Sequence, residues 1–329
     1  MNEMASKLTS KLRPHQSRLQ LVERFKLFPH QRKAKQRYLL DSGVANVIAS
    51  KLGIANTLVY ECNPGAGVLS RALLEHGASQ VVGLEHNRKF LPCLEDLEQD
   101  SCGRFVVAYA DMGKLDVTGP GIPPAIHSHD LLNGVEKIPW EDDRLLAKLV
   151  GIEKEKTAPA NLMNLLLHML RCSGFFSKGR IEVSLLFTED RAKKLLAQPG
   201  DKMYNRLAIL ASMLCDVELL HVESNVSFDP LPVKGYSDPV PQMHLISLRP
   251  KSDFKLQVPA HCILLVPKFL KLLTLKTSHP LTRALENISP GASLLLREMG
   301  LPEVPNHWIF ILISSNCSLS CFLIGKTVC

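Results

Sequence analysis

The sequence lacks the ligand spacing of a metal site. Its nine cysteines include one close pair, Cys317 and Cys321, and neither a second cysteine pair nor a histidine pair lies nearby. An odd number of cysteines, several of them in apolar settings, is typical of free thiols in a reducing compartment. We therefore expect free thiols and no bound metal.

The sequence also lacks a secretory signal and a clean membrane-spanning run. The N-terminus has no apolar core, and it is basic and poor in acids, which resembles an organelle transit segment. A basic arm that stays on the mature protein would give the same pattern. Residues 308–325 are apolar, but Ser, Asn and Cys interrupt them, and a spanning helix needs about 20 mostly apolar residues. We predict an irregular or buried tail and no membrane contact.

The composition is that of a globular protein, with 46% apolar and 22% charged residues. The net charge of +7 is unevenly distributed, because residues 1–37 hold ten Lys and Arg against two acids. The last 85 residues are also basic and the middle is acidic. This suggests a core that holds a small cofactor between flanks that meet a polyanion. Solvated surface charge is an equally good interpretation of the same distribution.

Short apolar runs alternate with helical patterns between about residues 36 and 249. The runs that predict strands are TLVYE (57–61), VVGLE (81–85), FVVAYAD (105–111), LLAKLVG (145–151), IEVSLLF (181–187) and MHLISL (243–248). Apolar spacing predicts helices over VLSRALLEHG (68–77) and RAKKLLA (191–197). This alternation predicts an α/β fold with a mostly parallel sheet covered on both faces.

Two flanking regions complete the predicted organisation. Residues 1–35 form a basic arm or transit segment that is partly helical, because Leu19, Val22 and Phe25 recur at helical spacing. Residues 250–329 form a small helical domain, with helices predicted over 262–275 and 292–300. A proline-rich loop precedes the last strand, and its prolines are Pro230, Pro232, Pro239 and Pro241. We expect a monomer.

The strongest local signal is a glycine loop between a strand and an amphipathic helix, in LVYECNPGAGVLSRALLEHGA (58–78). Gly65 and Gly67 allow a tight turn and close approach of the backbone to a ligand. The N-terminus of the following helix favours an anionic group. A short glycine loop alone is weak evidence for a cofactor.

Two acids at the ends of the next strands strengthen the cofactor hypothesis. Glu85 is placed to accept hydrogen bonds from ribose hydroxyls, and Asp111 is placed to accept one from an adenine amine. Each acid taken singly could be a strand-end cap, but three such features along one sheet edge favour a ligand. NAD is the rival cofactor; its fingerprint has a third glycine where this loop has Ser70. With Glu61 just before the loop, the pattern favours S-adenosylmethionine.

The sequence resembles the ribosomal RNA adenine dimethyltransferase family over about residues 35–300. Within that family it is most similar to the mitochondrial transcription factor B group, and in particular to its second paralogue. The family's Gln-Asn-Phe-Leu-x-Asp motif reads Gln36-Arg37-Tyr38-Leu39-Leu40-Asp41 here. The other matching strings are ECNPGAGVLSRALLEHGA (61–78), PWEDD (139–143), GRIEVSLLFTEDRAKKLLAQPG (179–200), LCDVELLHVESNVSFDP (214–230) and HLISLRP (244–250). After about residue 305 the similarity ends, so the predicted C-terminal domain is atypical from there.

The resemblance implies a set of cofactor contacts and one important departure. The implied contacts to S-adenosylmethionine are Arg37, Leu39, Asn63, Glu85 and Asp111. Active relatives carry Asn-Leu-Pro-Phe/Tyr at the end of the fourth strand, where the Asn and a backbone carbonyl hold the target amine and the ring stacks on adenine. Here Ile152-Glu153-Lys154-Glu155 stands there, with Ile152 at the position of the Asn. We therefore predict weak methyl transfer and assign no catalytic residue.

Two functions follow from the resemblance. One is a transcription initiation factor that binds promoter DNA and helps the mitochondrial RNA polymerase to open it. The other is an enzyme that dimethylates adenines of small-subunit ribosomal RNA. Both imply a location in the mitochondrial matrix, with the nucleoid favoured by the first, and both imply a polyanionic partner. A dehydrogenase is a third and weaker reading, because no catalytic His or Tyr/Lys arrangement stands out.

Candidate nucleic-acid contacts are few. Lys178 and Arg180, beside the predicted sheet edge, are placed to touch phosphates, although a solvated surface position is as good an interpretation. Five aromatic residues could stack on unpaired bases, and core packing is the better interpretation of each. They are Trp140, Phe175, Phe176, Tyr204 and Phe228.

Overall fold

The computed structural model describes residues 12, 16–27, 37–116, 126–153, 158–230 and 242–253, and a few positions between 266 and 294. Its strands are β1 (Tyr38–Leu39), β2 (Leu58–Cys62), β3 (Gln80–Leu84), β4 (Phe105–Ala108), β5 (Ala147–Ile152), β6 (Ile181–Thr188), β7 (Cys215–Ser224), β8 (Phe228–Asp229) and β9 (Gln242–Pro250). All six strands predicted from apolar runs are confirmed. The alternating, half-exposed β7 is an additional strand.

Seven of these strands form one sheet in the order β4-β3-β2-β5-β6-β9-β7. The first five strands in this order, β4, β3, β2, β5 and β6, run parallel to one another. β9 pairs antiparallel with β6, and β7 pairs antiparallel with β9 at that side of the sheet. β2 pairs with both β3 and β5, so that Glu61 lies opposite Gly83 and Cys62 lies opposite Gly151. The carboxyl ends of β2, β3, β4 and β5 therefore meet at one edge, and this edge positions the candidate site.

Helices cover both faces of the sheet. The α-helices in the described part of the chain are α1 (Arg18–Phe25), α2 (Ser42–Lys51), α3 (Val68–Glu75), α4 (Leu91–Asp100), α5 (Ser128–Leu131), α6 (Ala158–Leu170), α7 (Glu189–Leu195), α8 (Arg206–Leu214) and α9 (Leu281–Glu286). Two apolar clusters result, one with Tyr60, Leu149 and Ile246, and one with Val59 and Val150. Neighbouring residues of β2 and β5 enter opposite clusters because successive strand side chains alternate between faces. The predicted α/β fold with a mostly parallel, covered sheet is confirmed.

The N-terminal helix α1 packs on this core. Ser17 and Gln20 form a capping box at its start, which satisfies backbone donors that the first turn leaves unpaired. Leu21 and Phe25 are buried, whereas Leu19 is 69% exposed. The predicted helical spacing is therefore right, but the buried face is shifted away from Leu19. The helix joins the apolar cluster that contains Val59 and Val150, and the domain boundary at residue 36 stays a prediction.

Several predictions fall outside the described residues. These are the proline-rich loop after Pro230, the helices over 262–275 and 292–300 in large part, and the tail after residue 305. Among the C-terminal positions that are described, Val266 and Leu270 are buried in the core. No helix in the described part of the chain is long and apolar enough to cross a membrane.

Candidate cofactor site

The loop between β2 and α3 needs glycine at two positions. Gly65 and Gly67 have φ values of +59° and +76°, which L-residues with a side chain rarely adopt. A Cβ at Gly65 would lie 2.7 Å from the ring of Tyr38, and one at Gly67 would lie 3.1 Å from Leu94. The glycines therefore permit both the turn and the close packing of neighbouring side chains over it.

A buried carboxyl group lies directly beneath the loop. Glu61 near the end of β2 is 1% exposed, and Ser70 Oγ donates a 2.6 Å hydrogen bond to its Oε2. Burial raises the pKa of Glu61 to about 8; the Ser70 hydrogen bond opposes the shift and the charge of Glu85 adds to it. Glu61 is thus mostly protonated at neutral pH, and Ser70 tethers it to α3.

Glu85 follows β3 and connects that strand to the glycine loop. Its carboxylate accepts hydrogen bonds from the backbone N–H of Gly65 at 3.0 Å and of Asn87 at 2.7 Å. The residue is fully buried, with the Tyr38 ring packed on the same loop. Burial raises the pKa of Tyr38 to about 12, with a hydrogen bond to Asn87 opposing the shift and the Glu85 charge adding to it. Tyr38 thus packs over the glycine loop near this carboxylate, a role that the sequence did not indicate.

Asp111 and Asn63 complete this edge of the sheet. Asp111 is 9% exposed and accepts a 3.1 Å hydrogen bond from the Gly113 N–H. Asn63 follows β2 with φ +55°, and its Nδ2 donates to the Ile152 carbonyl at 3.3 Å. Its buried Oδ1 has no hydrogen-bond partner among the described residues. Since buried polar atoms are normally paired, this acceptor fits a donor on a bound molecule.

The remaining predicted contacts, Arg37 and Leu39, lie on and beside β1. Arg37 Nη1 donates to the carbonyl of Pro230, and Leu39 is buried in the core. Antiparallel pairing of Tyr38 with Asp229 fixes β1 in place. The side chain of Leu39 therefore packs inward.

The end of β5 is where the sequence resemblance predicts the target-binding motif. Gly151 has φ +148°, and a Cβ there would overlap the carbonyl oxygen of Cys62 on β2. Ile152 is 4% exposed. Asn161 of α6 reaches the following residue, with its Nδ2 3.4 Å from Glu153 Oε2. Lys154 and Glu155 lie outside the described residues. Besides the amide of Asn63, which binds the Ile152 carbonyl, a second amide thus reaches this strand end from α6, and no local sequence motif signals it.

The prediction that Lys178 and Arg180 touch phosphates is wrong. Both residues precede β6 and therefore lie at the edge of the sheet opposite to the candidate site. Lys178 Nζ donates to the carbonyls of Leu132 and Val135, each at 2.8 Å. Arg180 is 5% exposed and donates to the carbonyls of Pro250 and Asp142. Both cations thus satisfy buried backbone acceptors, and neither is placed to bind phosphate.

The aromatic residues considered for base stacking are core residues, as preferred from the sequence. Phe175, Phe176, Tyr204 and Phe228 are each at most 6% exposed. Trp140 packs partly against the core and donates from its Nε1 to the carbonyl of Lys251 at 3.0 Å. None of these five side chains is an exposed stacking platform.

A glycine loop after a central parallel strand, with acids at the ends of the next two strands, defines a class I S-adenosylmethionine-dependent methyltransferase fold. Two solved structures share this fold. A dimethyladenosine transferase from Plasmodium falciparum has a TM-score of 0.53 at 16% identity, covering 83% of this chain and 86% of that one. The 23S rRNA methyltransferase ErmE has a TM-score of 0.51 at 16% identity, covering 84% and 98%.

The chain belongs to the ribosomal RNA adenine dimethylase family, whose profile matches residues 28–122 and 160–290. Dimethyladenosine transferase 2, mitochondrial, of Homo sapiens is 36% identical over 209 residues, or 61% of this chain and 52% of that protein. Mitochondrial dimethyladenosine transferase 1 of Bos taurus is 28% identical over 213 residues, or 64% and 59%. The chain thus spans about half the length of the curated relatives it matches. The expected cofactor is S-adenosylmethionine, as predicted.

Proposed function

We propose that this chain is a mitochondrial transcription initiation factor with weak residual methyltransferase activity. It would bind promoter DNA and assist the mitochondrial RNA polymerase in opening it. The observation that carries the proposal is the end of β5, where Ile152 presents a buried hydrocarbon side chain. A hydrocarbon side chain offers no acceptor to orient the amine of a target adenine.

The cofactor side of the site supports retained binding. Glu85 would accept hydrogen bonds from the ribose hydroxyls and Asp111 from the adenine amine, while Asn63 Oδ1 would accept from a donor group nearby. Arg37 and Leu39 would contribute from β1, and Gly65 and Gly67 would allow close approach. When bound, S-adenosylmethionine supplies an activated methyl group on a sulfonium. The protein's own contribution to the rate would be to position the accepting amine, which Ile152 cannot do.

A second candidate function is dimethylation of adenines in small-subunit ribosomal RNA. The Asn161 amide favours it, because this side chain reaches Glu153 at the same strand end and could orient a target amine. An amide from α6 would then replace the amide that the family carries on β5. The match to the ribosomal RNA adenine dimethylase family supports ribosomal RNA as substrate.

Mitochondrial location is part of the proposal. The relatives from Homo sapiens and Bos taurus are named as mitochondrial proteins, and the basic N-terminal segment fits import. The matrix nucleoid would bring the chain together with polymerase and promoter DNA. We further propose that it acts as a monomer.

A paired assay on one preparation tests the two candidate functions. One arm measures methyl incorporation into an adenine-bearing ribosomal RNA hairpin, and the other measures promoter-dependent RNA synthesis with the cognate mitochondrial polymerase. Synthesis with little methylation is the expected result. Robust methylation that Asn161→Ala abolishes would instead assign the enzyme function and the role of the α6 amide.

Calorimetry with S-adenosylmethionine tests the assigned cofactor contacts. Glu85→Gln keeps the shape of the side chain and removes its charge, so affinity should fall about 10- to 100-fold, as for a lost hydrogen bond to a charged group. Glu95→Gln, at an exposed position of α4, is the matched control and should bind normally. Unchanged affinity of Glu85→Gln would remove this residue from the site.

A further inference from the structure

A groove of about 310 Å³ opens between α6, α7 and the start of α8. Leu162 and Met163 of α6 and Leu207 of α8 form an apolar floor. None of the described residues that line it belongs to the glycine loop or to the acids at the ends of β3 and β4. The groove is therefore separate from the candidate cofactor site.

Four cationic side chains surround this floor: Arg191, Lys194, Arg206 and Lys271. No carboxylate lies among the described residues that line the groove. Within the described part of the chain, the side chains of Arg191, Lys194 and Arg206 form no ion pair and no hydrogen bond. Lys193 differs, because its Nζ pairs with Glu189 at 2.7 Å. Uncompensated positive charge beside an apolar floor is complementary to a ligand with both negative charge and an apolar face.

The groove lies next to the end of β5. Phe187 of the groove lining follows Leu186, which is paired in register with Ile152. On α6, Leu162 of the floor follows Asn161, whose amide contacts Glu153. A polynucleotide whose target base enters at the end of β5 would therefore pass the groove with a neighbouring nucleotide.

The groove offers few groups that could read a base edge. The Asn205 amide is its one neutral polar side chain among the described lining residues. Its Oδ1 accepts from the N–H groups of Leu207 and Ala208, and its Nδ2 donates to the carbonyls of Lys194 and Met203. Because that amide is already hydrogen-bonded, the groove would contact the apolar face of a base through its floor and the nucleic-acid phosphates through its cations. Recognition of this kind is independent of sequence.

We propose that this groove holds a nucleotide that flanks the target in single-stranded RNA. The base packs against Leu162, Met163 and Leu207, and the adjoining phosphates contact the cations at the rim. This inference rests on the second candidate function, in which RNA is the substrate, and adds to it a site outside the cofactor pocket. The consequence is that the strand is held whether or not the end of β5 can orient a target amine.

The test measures binding of the full chain to single-stranded RNA of roughly ten nucleotides that carries 2-aminopurine. Affinity is measured between about 50 and 200 mM salt. Arg191→Gln and Lys194→Gln should each weaken binding about three- to tenfold at low salt, and each should reduce the salt slope by about 0.7. Met163→Gln should reduce the 2-aminopurine fluorescence change without altering the salt slope.

Lys193→Gln is the matched control, since this neighbour of Lys194 is exposed and already paired. It should bind RNA as the unmodified protein does, and all variants should keep their affinity for S-adenosylmethionine. Wild-type RNA affinity in both Arg191→Gln and Lys194→Gln would overturn the inference, while the proposed function would stand if promoter-dependent synthesis persisted. A loss confined to single-stranded DNA, or to polymerase binding, would also overturn it. Absence of any nucleic-acid binding by the unmodified chain would refute the proposed function as well.

Discussion

The buried carboxyl group of Glu61 makes stability depend on pH in a specific way. Its pKa is about 8 in the folded protein and 4.5 for the free side chain. A carboxyl group with a raised folded-state pKa contributes its full stability below the unfolded-state value and loses it as pH rises toward the folded-state value. Between these limits the unfolded state releases the proton first, so the free energy of unfolding falls by about 1.4 kcal/mol per pH unit.

Replacing Glu61 by Gln removes this dependence. Glutamine keeps the size of the protonated acid and a group that can pair with Ser70 Oγ, and it has no proton to release in this range. Between pH 6.0 and 7.5, the stability of the unmodified protein should therefore fall relative to Glu61→Gln by about 2 kcal/mol. All other titrating groups are shared, and their contributions largely cancel in the difference.

Urea unfolding followed by circular dichroism, without cofactor, measures this difference at each pH. The exposed Glu95→Gln serves as control and should stay parallel to the unmodified protein. Parallel curves for Glu61→Gln above pH 6 would mean that Glu61 is already ionised in the folded state. The argument from burial beneath the glycine loop would then be refuted.

Two further predictions concern the glycine loop and α1. Gly65→Ala should destabilise the protein by about 2 kcal/mol or more and weaken S-adenosylmethionine binding, because the new Cβ meets both positive φ and an aromatic ring. Gly103 also has a positive φ, but a Cβ there would meet no atom within 4 Å, so Gly103→Ala should cost about 1 kcal/mol and leave cofactor affinity unchanged. Equal effects of Gly65→Ala and Gly103→Ala in thermal melts and calorimetry would contradict the packing argument. Arg18→Ala removes the 2.7 Å ion pair to Asp229, whose side chain is 3% exposed, and should cost about 2 kcal/mol. Arg24→Ala is the control, because the hydrogen bond of Arg24 lies at the surface, and it should shift the melting temperature little. An equally small shift for Arg18→Ala would show that the Arg18–Asp229 ion pair contributes nothing to stability.

The parallel half of the fold was predictable from sequence because its strands are buried on both faces and read as continuous apolar runs. Acids at strand ends were readable for the same reason, since a strand boundary fixes the sheet edge at which the next residue lies. That rule also shows why Lys178 and Arg180 were placed at the wrong edge. Both precede their strand, and the order along the chain already contained this information.

Other features depend on contacts between distant parts of the chain. Tyr38 covers the glycine loop because β1 pairs with β8, which lies about 190 residues further along. The Asn161 amide reaches the end of β5 only through the packing of α6 on the sheet. β7 was missed because it is half-exposed, so its apolar residues alternate with polar ones. Local periodicity in the sequence does not predict such long-range contacts.

The packing of α1 limits how the chain can be processed. Leu21, Phe25 and Leu27 fill the core beside Phe90, and Arg18 is tied to the buried Asp229. If an N-terminal segment were removed, a cut that leaves this core intact would therefore have to fall before Leu12, which also packs against it. Cleavage further along would expose the apolar surface that the helix covers, and the trimmed product would become a substrate for quality-control proteases.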